Sequence, residues 1–189
     1  MFTIANIVQL SNAALSLLGD SPITSLEDDT TRARLCKSFW PIVRDDVLRE
    51  HPWKCALKRT SLALLVAVPV FGFSNQFQLP GDCIRVIGID DDYGDIRWQR
   101  EGNKILADST SMKILYVYRL EDSAQYDPIL TMCMVFKLAM VLASAITDKV
   151  TMIEGLSKLY SIELNKARPV NAQEASSQAF ESNVLTEVR

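Results

Sequence analysis

The residues able to do chemistry are few and widely spaced. His51 is the single imidazole of the chain, and it stands between a helix-forming run and Pro52-Trp53. A hydrolytic triad would need it as general base beside a nucleophile, and no G-x-S-x-G run supplies one. A packed or capping histidine is the expectation. Cys36, Cys55, Cys83 and Cys133 include no C-x-x-C pair, so with one histidine a zinc site would need a scattered ligand set. They read as buried free thiols made in a reducing cytoplasm. The glycines form neither G-x-x-x-x-G-K-[ST] nor G-x-G-x-x-G, the runs that cradle phosphates. The acidic cluster Asp90, Asp91, Asp92 and Asp95 invites a calcium test. An EF-hand starting at Asp90 would place Asp92 third and Glu101 twelfth, but it puts Gly94 and Asp95 where an oxygen ligand and then glycine are required. A solvated hairpin turn is expected there. No catalytic residue, metal or cofactor is expected, and the chain reads as a non-enzyme.

Composition points the same way. With 189 residues and a hydrophobic fraction of 48%, a sizeable core can form. A net charge of -3 and a pI near 5.2 give no electrostatic reason to expect free nucleic acid or an anionic membrane as the main partner. The N-terminus lacks the basic region of a targeting signal. The apolar stretch 129–146 carries Lys137 at its middle, with Thr131 and Ser144, and reads as a buried core helix and not a membrane span.

The elements that would position these residues follow from periodicity. Ile4, Ile7, Val8, Leu15 and Leu18 share one stripe and predict a helix over 3–18, stopped by Gly19. Cys36, Phe39, Trp40, Val43 and Val47 predict a second over 31–50, capped by Asp29 or Thr30, with a kink at Pro41 and an end imposed by Pro52. The middle of the chain changes period. Strands are expected at 83–89, 96–99, 104–107 and 112–118, the last with Met112, Ile114, Tyr116 and Tyr118 on one face. A third helix begins at Pro128 with Asp127 as cap, and is apolar nearly all round. A fourth begins at Thr151, where Thr151-Met152-Ile153-Glu154 reads as a capping box, and ends at Pro169. The fold class is therefore α+β. A mainly α-helical bundle (1–58 and 120–169) carries a small inserted antiparallel β-sheet domain (59–119) and a C-terminal extended arm (170–189).

Two runs are distinctive together. One is Arg44-Asp45-Asp46-Val47-Leu48-Arg49-Glu50-His51-Pro52-Trp53, and the other is Leu79-Pro80-Gly81-Asp82-Cys83-Ile84-Arg85-Val86. With Ala13-Ala14-Leu15-Ser16-Leu17-Leu18-Gly19 before them and the apolar helix after Asp127-Pro128, their order resembles the tail tubular protein A family. These are the head-to-tail adaptors of short-tailed phages. The resemblance spans about 5–168 and implies a helical bundle bearing a small β domain. It implies a structural virion protein that forms a twelve-fold ring below the portal protein. Such a ring extends the channel through which double-stranded DNA passes without sequence-specific binding. It also serves as a platform for the tail nozzle protein and tail fibres.

On that expectation, Arg44, Asp45, Asp46, Arg49 and Glu50 place both signs of charge at the end of the second helix. They are candidates for contacts between subunits, or else a solvated helix face. Tyr93 and Trp98 are expected to face another tail protein from a sheet standing away from the helical core. Beyond Pro169, Phe180, Val184, Leu185 and Val188 are spaced as anchors within a polar stretch, and are expected to dock on the portal. The competing expectation is a helical binding or chaperone-like protein acting as monomer or dimer.

Overall fold

A computed structural model of the chain describes residues 6–90, 96–146 and 150–173. Helices α1 (Ile7–Leu17) and α2 (Thr31–Glu50) come first. Strands β1 (Leu57–Ser61), β2 (Ala63–Leu64), β3 (Asn75–Gln78), β4 (Cys83–Ile89), β5 (Trp98–Glu101), β6 (Lys104–Ala107) and β7 (Lys113–Tyr118) follow. Helices α3 (Pro128–Ile146) and α4 (Val150–Gln173) close the order, and the fold is α+β as expected.

Local chemistry sets the helix ends. α1 starts at Ile7, later than the expected 3, because Asn6 is extended and closes a capping box. The Asn6 side chain accepts from the Gln9 amide at 2.8 Å, and Gln9 accepts from the Asn6 amide at 3.0 Å. Ile4 lies outside the described residues. Gly19 ends the helix at φ +72°, the left-handed region that glycine enters without strain. Thr30, rather than Asp29, caps α2 by accepting from the Ala33 amide at 3.3 Å. α2 runs as one helix through the exposed Pro41 and stops where His51 turns extended, as the following proline requires. Asp127 caps α3 by accepting from the Leu130 amide at 2.8 Å. In α4 the expected cap at Thr151 does not hold, since Val150 before it is already helical. Its end differs too. α4 passes through the exposed Pro169 to Gln173, and the proline leaves the Asn165 carbonyl without its intrahelical donor. The first residues of the expected extended arm are thus helical, and Phe180, Val184, Leu185 and Val188 lie outside the described residues.

The β region holds two antiparallel sheets where one was expected. The first has the order β1-β7-β4 and the second β2-β3-β6-β5. One face of the first is covered by the second sheet and the other is covered in part by the helices. Val117 and its cross-strand partner Leu57 join Ile84 in the core formed with α1–α4, whereas Met112, Ile114 and Tyr116 meet Phe77, Ile105 and Ala107 of the second sheet. The alternation read in 112–118 is real, but its second face is buried at Val117 and grades through half-buried Leu115 to exposed Lys113, rather than being solvated throughout. The first sheet is therefore a wall shared by two cores, which corrects the expectation of a sheet standing away from the helices. α3 is long and apolar enough to cross a membrane; here it packs on α1, α2 and α4, burying Leu130, Met134, Leu138 and Leu142 among others. Each such side chain stabilises the fold by about 1.5–3 kcal/mol.

Candidate functional site

The last two turns of α2 are the meeting point of the fold. Arg49 donates from Nη1 to the Ile84 carbonyl of β4 at 2.8 Å, and Arg100 donates to the same oxygen at 3.2 Å. In return Arg85 donates from Nη1 to the Arg49 carbonyl at 3.2 Å. The final carbonyls of a helix lack intrahelical donors and carry the negative end of its dipole, so a guanidinium is a suitable cap there. Trp53 closes another one, its indole donating to the Val47 carbonyl at 2.9 Å while the ring is almost wholly buried. His51 is buried beside it, the two rings edge to face with centroids 4.8 Å apart. Burial, reinforced by the Arg168 charge, holds the His51 pKa below its ordinary value. The His-Pro-Trp run is thus a device for ending α2 and turning the chain into β1.

The charged residues of α2 brace the same point. Asp45 accepts from Arg44 Nε and, from the end of β7, Arg119 Nε, each at 2.9 Å. Arg44, itself buried, also pairs with Glu121 at 3.6 Å. Asp46 reaches Lys137 of α3 at 2.8 Å, and that ammonium lies 5.1 Å from the centre of the Tyr160 ring. Glu50 accepts a hydrogen bond from the Tyr160 hydroxyl of α4. Burial together with Glu50 raises the Tyr160 pKa well above the usual phenol range. All five charged residues expected at subunit contacts thus have partners within the chain, while Asp46, Arg49 and Glu50 also stay exposed.

The second run supplies the opposite side of the joint. Asp82 accepts from Lys58 Nζ and from the Tyr116 hydroxyl, both at 3.2 Å, and its carbonyl accepts from the Arg119 amide at 2.7 Å. Burial first, then Asp82, pushes the Tyr116 pKa up to about 12. The two runs are therefore halves of one clasp, with Arg49 and Arg85 crossing between them. Periodicity placed Arg49 on an outer helix face and could not show this, because its acceptor lies 35 residues away. Arg100, Arg119, Lys137 and Tyr160 were missed for the same reason.

The chain matches no family model and no curated protein. What its site can do is read from geometry alone. Burial raises the thiol pKa of all four cysteines, Cys55 to about 11 and Cys133 to about 12, so they are held as thiols and not as nucleophilic thiolates. No group of three His, Cys, Asp or Glu able to hold a metal occurs among the described residues. Asp90 pairs with Lys113 at 3.0 Å, while Asp91, Asp92, Tyr93 and Asp95 lie outside the described residues. Trp98 is half-buried against the second core, paired across the strands with Ala107 of β6, so much of its ring is committed inward.

Proposed function

We propose that this chain is a head-to-tail adaptor, a structural virion protein that assembles as a ring below the portal protein of a short-tailed phage. The observation that supports this reading best is that the two runs carrying the resemblance fold into one clasp between helix and sheet. An adaptor hands mechanical load from one ring to the next, and must hold its β region at a fixed angle to its helices. The arginine-to-carbonyl crossings, the Trp53 cap and the Asp45 bridge restrain that angle from three sides. In this role the ring extends the channel for double-stranded DNA without reading its sequence. It bears the nozzle protein and tail fibres, and it docks on the portal through Phe180, Val184, Leu185 and Val188.

The test is the mass and image of the purified protein mixed with its portal. A ring of about twelve copies on the portal is the expected result, in line with closed cyclic assembly. A particle that remains a monomer or dimer of the 21.2 kDa chain, with or without portal, would overturn the adaptor reading and favour a helical binding protein.

A further inference from the structure

A loop on the second sheet is built to be covered. Between β2 and β3 the chain leaves the sheet, and no charged residue occurs between Arg59 and Asp82. Val66 is 102% exposed, Val70 98%, Phe71 85% and Val68 67%. With Leu64 these side chains present roughly 600 Å² of apolar surface, the upper end of what a monomer tolerates and about three-quarters of one side of a standard interface. The loop is also held in shape at both roots. The Leu65 amide donates to the Gln76 carbonyl at 2.9 Å, and the buried Gln76 side chain donates to the Ala67 carbonyl at 2.7 Å. On the far side Arg97 donates to the Gly72 carbonyl and stacks 4.6 Å from the centre of Phe73. Asp108 fixes both Ser74 and Arg97. An apolar projection restrained in this way loses little entropy on binding. The loop itself carries no charge and the neighbouring Arg97 is paired with Asp108, so it offers little to phosphates or to anionic lipid and suits a protein surface.

A matching depression lies on the other sheet of the same chain. The cross-strand row Arg59–Leu115–Gly88 shares the face of Leu57 and Val117, two residues further along the strands. It borders an open groove of about 710 Å³, walled by Ile87, Gly88 and Leu115 and rimmed by Arg59, Lys113 and Asp90. That volume suits a Phe and its valine neighbours. An apolar floor inside a charged rim is the anatomy of a protein interface. Above Gly88 the groove is open, since a Cβ there would meet nothing within 4 Å.

We infer that the 65–73 loop of one copy seats in the groove of the β1-β7-β4 sheet of the next copy. Two different patches on one chain make a heterologous contact, the kind that propagates head to tail and closes into a ring. The inference rests on the ring reading and supplies its subunit contact.

The test uses the full-length chain under the conditions in which the wild type forms rings, with portal present if it is required. Val66→Asp with Val70→Asp spoils the loop and leaves the groove, while Gly88→Trp fills the groove and leaves the loop. Each variant alone should stay a single chain. Their equimolar mixture should give a species of two chains and nothing larger, because one good loop meets one good groove. In parallel, photoreactive benzoylphenylalanine in place of Phe71 should cross-link to residues 84–90 or 113–118 of a second copy. Unchanged circular dichroism and melting qualify each variant, and the cross-link alone decides if Gly88→Trp does not fold. Rings formed by both variants, or a Phe71 cross-link to portal or nozzle protein, would overturn the inference and leave the ring reading standing. A wild type that never forms a ring would overturn both.

Discussion

Two buried tryptophans differ in one hydrogen bond. Trp53 donates to the Val47 carbonyl, while the Trp40 indole nitrogen finds no partner among the described residues. Replacing each by Phe removes similar volume but opposite polar terms. Trp53→Phe strips a donor from a helix-end carbonyl and should cost about 1–3 kcal/mol. Trp40→Phe removes a buried unsatisfied N–H, itself a liability of about 1–3 kcal/mol, and should fall within about 1 kcal/mol of wild type. Urea midpoints of the two variants give the comparison. His51 provides a pH prediction. Its folded pKa lies below the ordinary 6.5, so the unfolded chain binds the proton more tightly. The contribution of neutral His51 to stability is full above about 6.5 and is lost as pH falls through the lower folded value. His51→Gln should flatten the decline in melting temperature between neutral and mildly acid pH. If the slope is unchanged, other groups govern it. His51→Ala should cost about 1 kcal/mol, the usual size of a point change, and leave assembly chemically intact.

Between elements, the clasp is redundant at one atom. Arg49 and Arg100 both donate to the Ile84 carbonyl, so either can satisfy it when the other is gone. Arg49→Ala and Arg100→Ala should each cost about 1 kcal/mol, and the double variant should lose more than their sum by about 0.5–2 kcal/mol. A double-mutant cycle from chemical denaturation reads the coupling. Simple additivity would mean that the two arginines act independently. Sequence legibility divides along similar lines. The helices were readable because their apolar stripes repeat over several turns, and β4, β6 and β7 because turns flank them. β1 was not, since Leu57-Lys58-Arg59-Thr60-Ser61 leaves only its first and fourth residues half-buried. β3 hid behind Gln76, a polar residue that is buried because it braces the neighbouring loop. β2 is two residues at the start of an apolar run whose remainder faces outward. Pro169 misled because a proline weakens or bends a helix without always ending it, as α2, uninterrupted at Pro41, also shows.

At the scale of the whole molecule, the candidate site was half legible. The two runs were visible as strings, but that they touch depends on how α2 and β4 pack, which no local pattern encodes. The proposed portal arm calls for a revised cut. Since α4 extends to Gln173, truncation after Pro169 would remove part of a helix as well as the anchors. Truncation after Gln173 leaves α4 whole and spares Ala167, Tyr160 and Leu156, its buried contacts with the core. The shortened chain should therefore melt within a degree or two of the full-length protein, because every described core contact of α4 is kept. It should still form the loop-to-groove contact, which lies wholly within residues 59–115. What it should lose is attachment to the portal, through Phe180, Val184, Leu185 and Val188. A segment of that length spans at most roughly 50–58 Å, enough to reach an adjacent ring. The decisive measurement is binding of the truncated chain to filled heads beside the full-length protein. Undiminished affinity would place the docking surface on the helices and sheets, and would leave the C-terminal residues without a part in attachment.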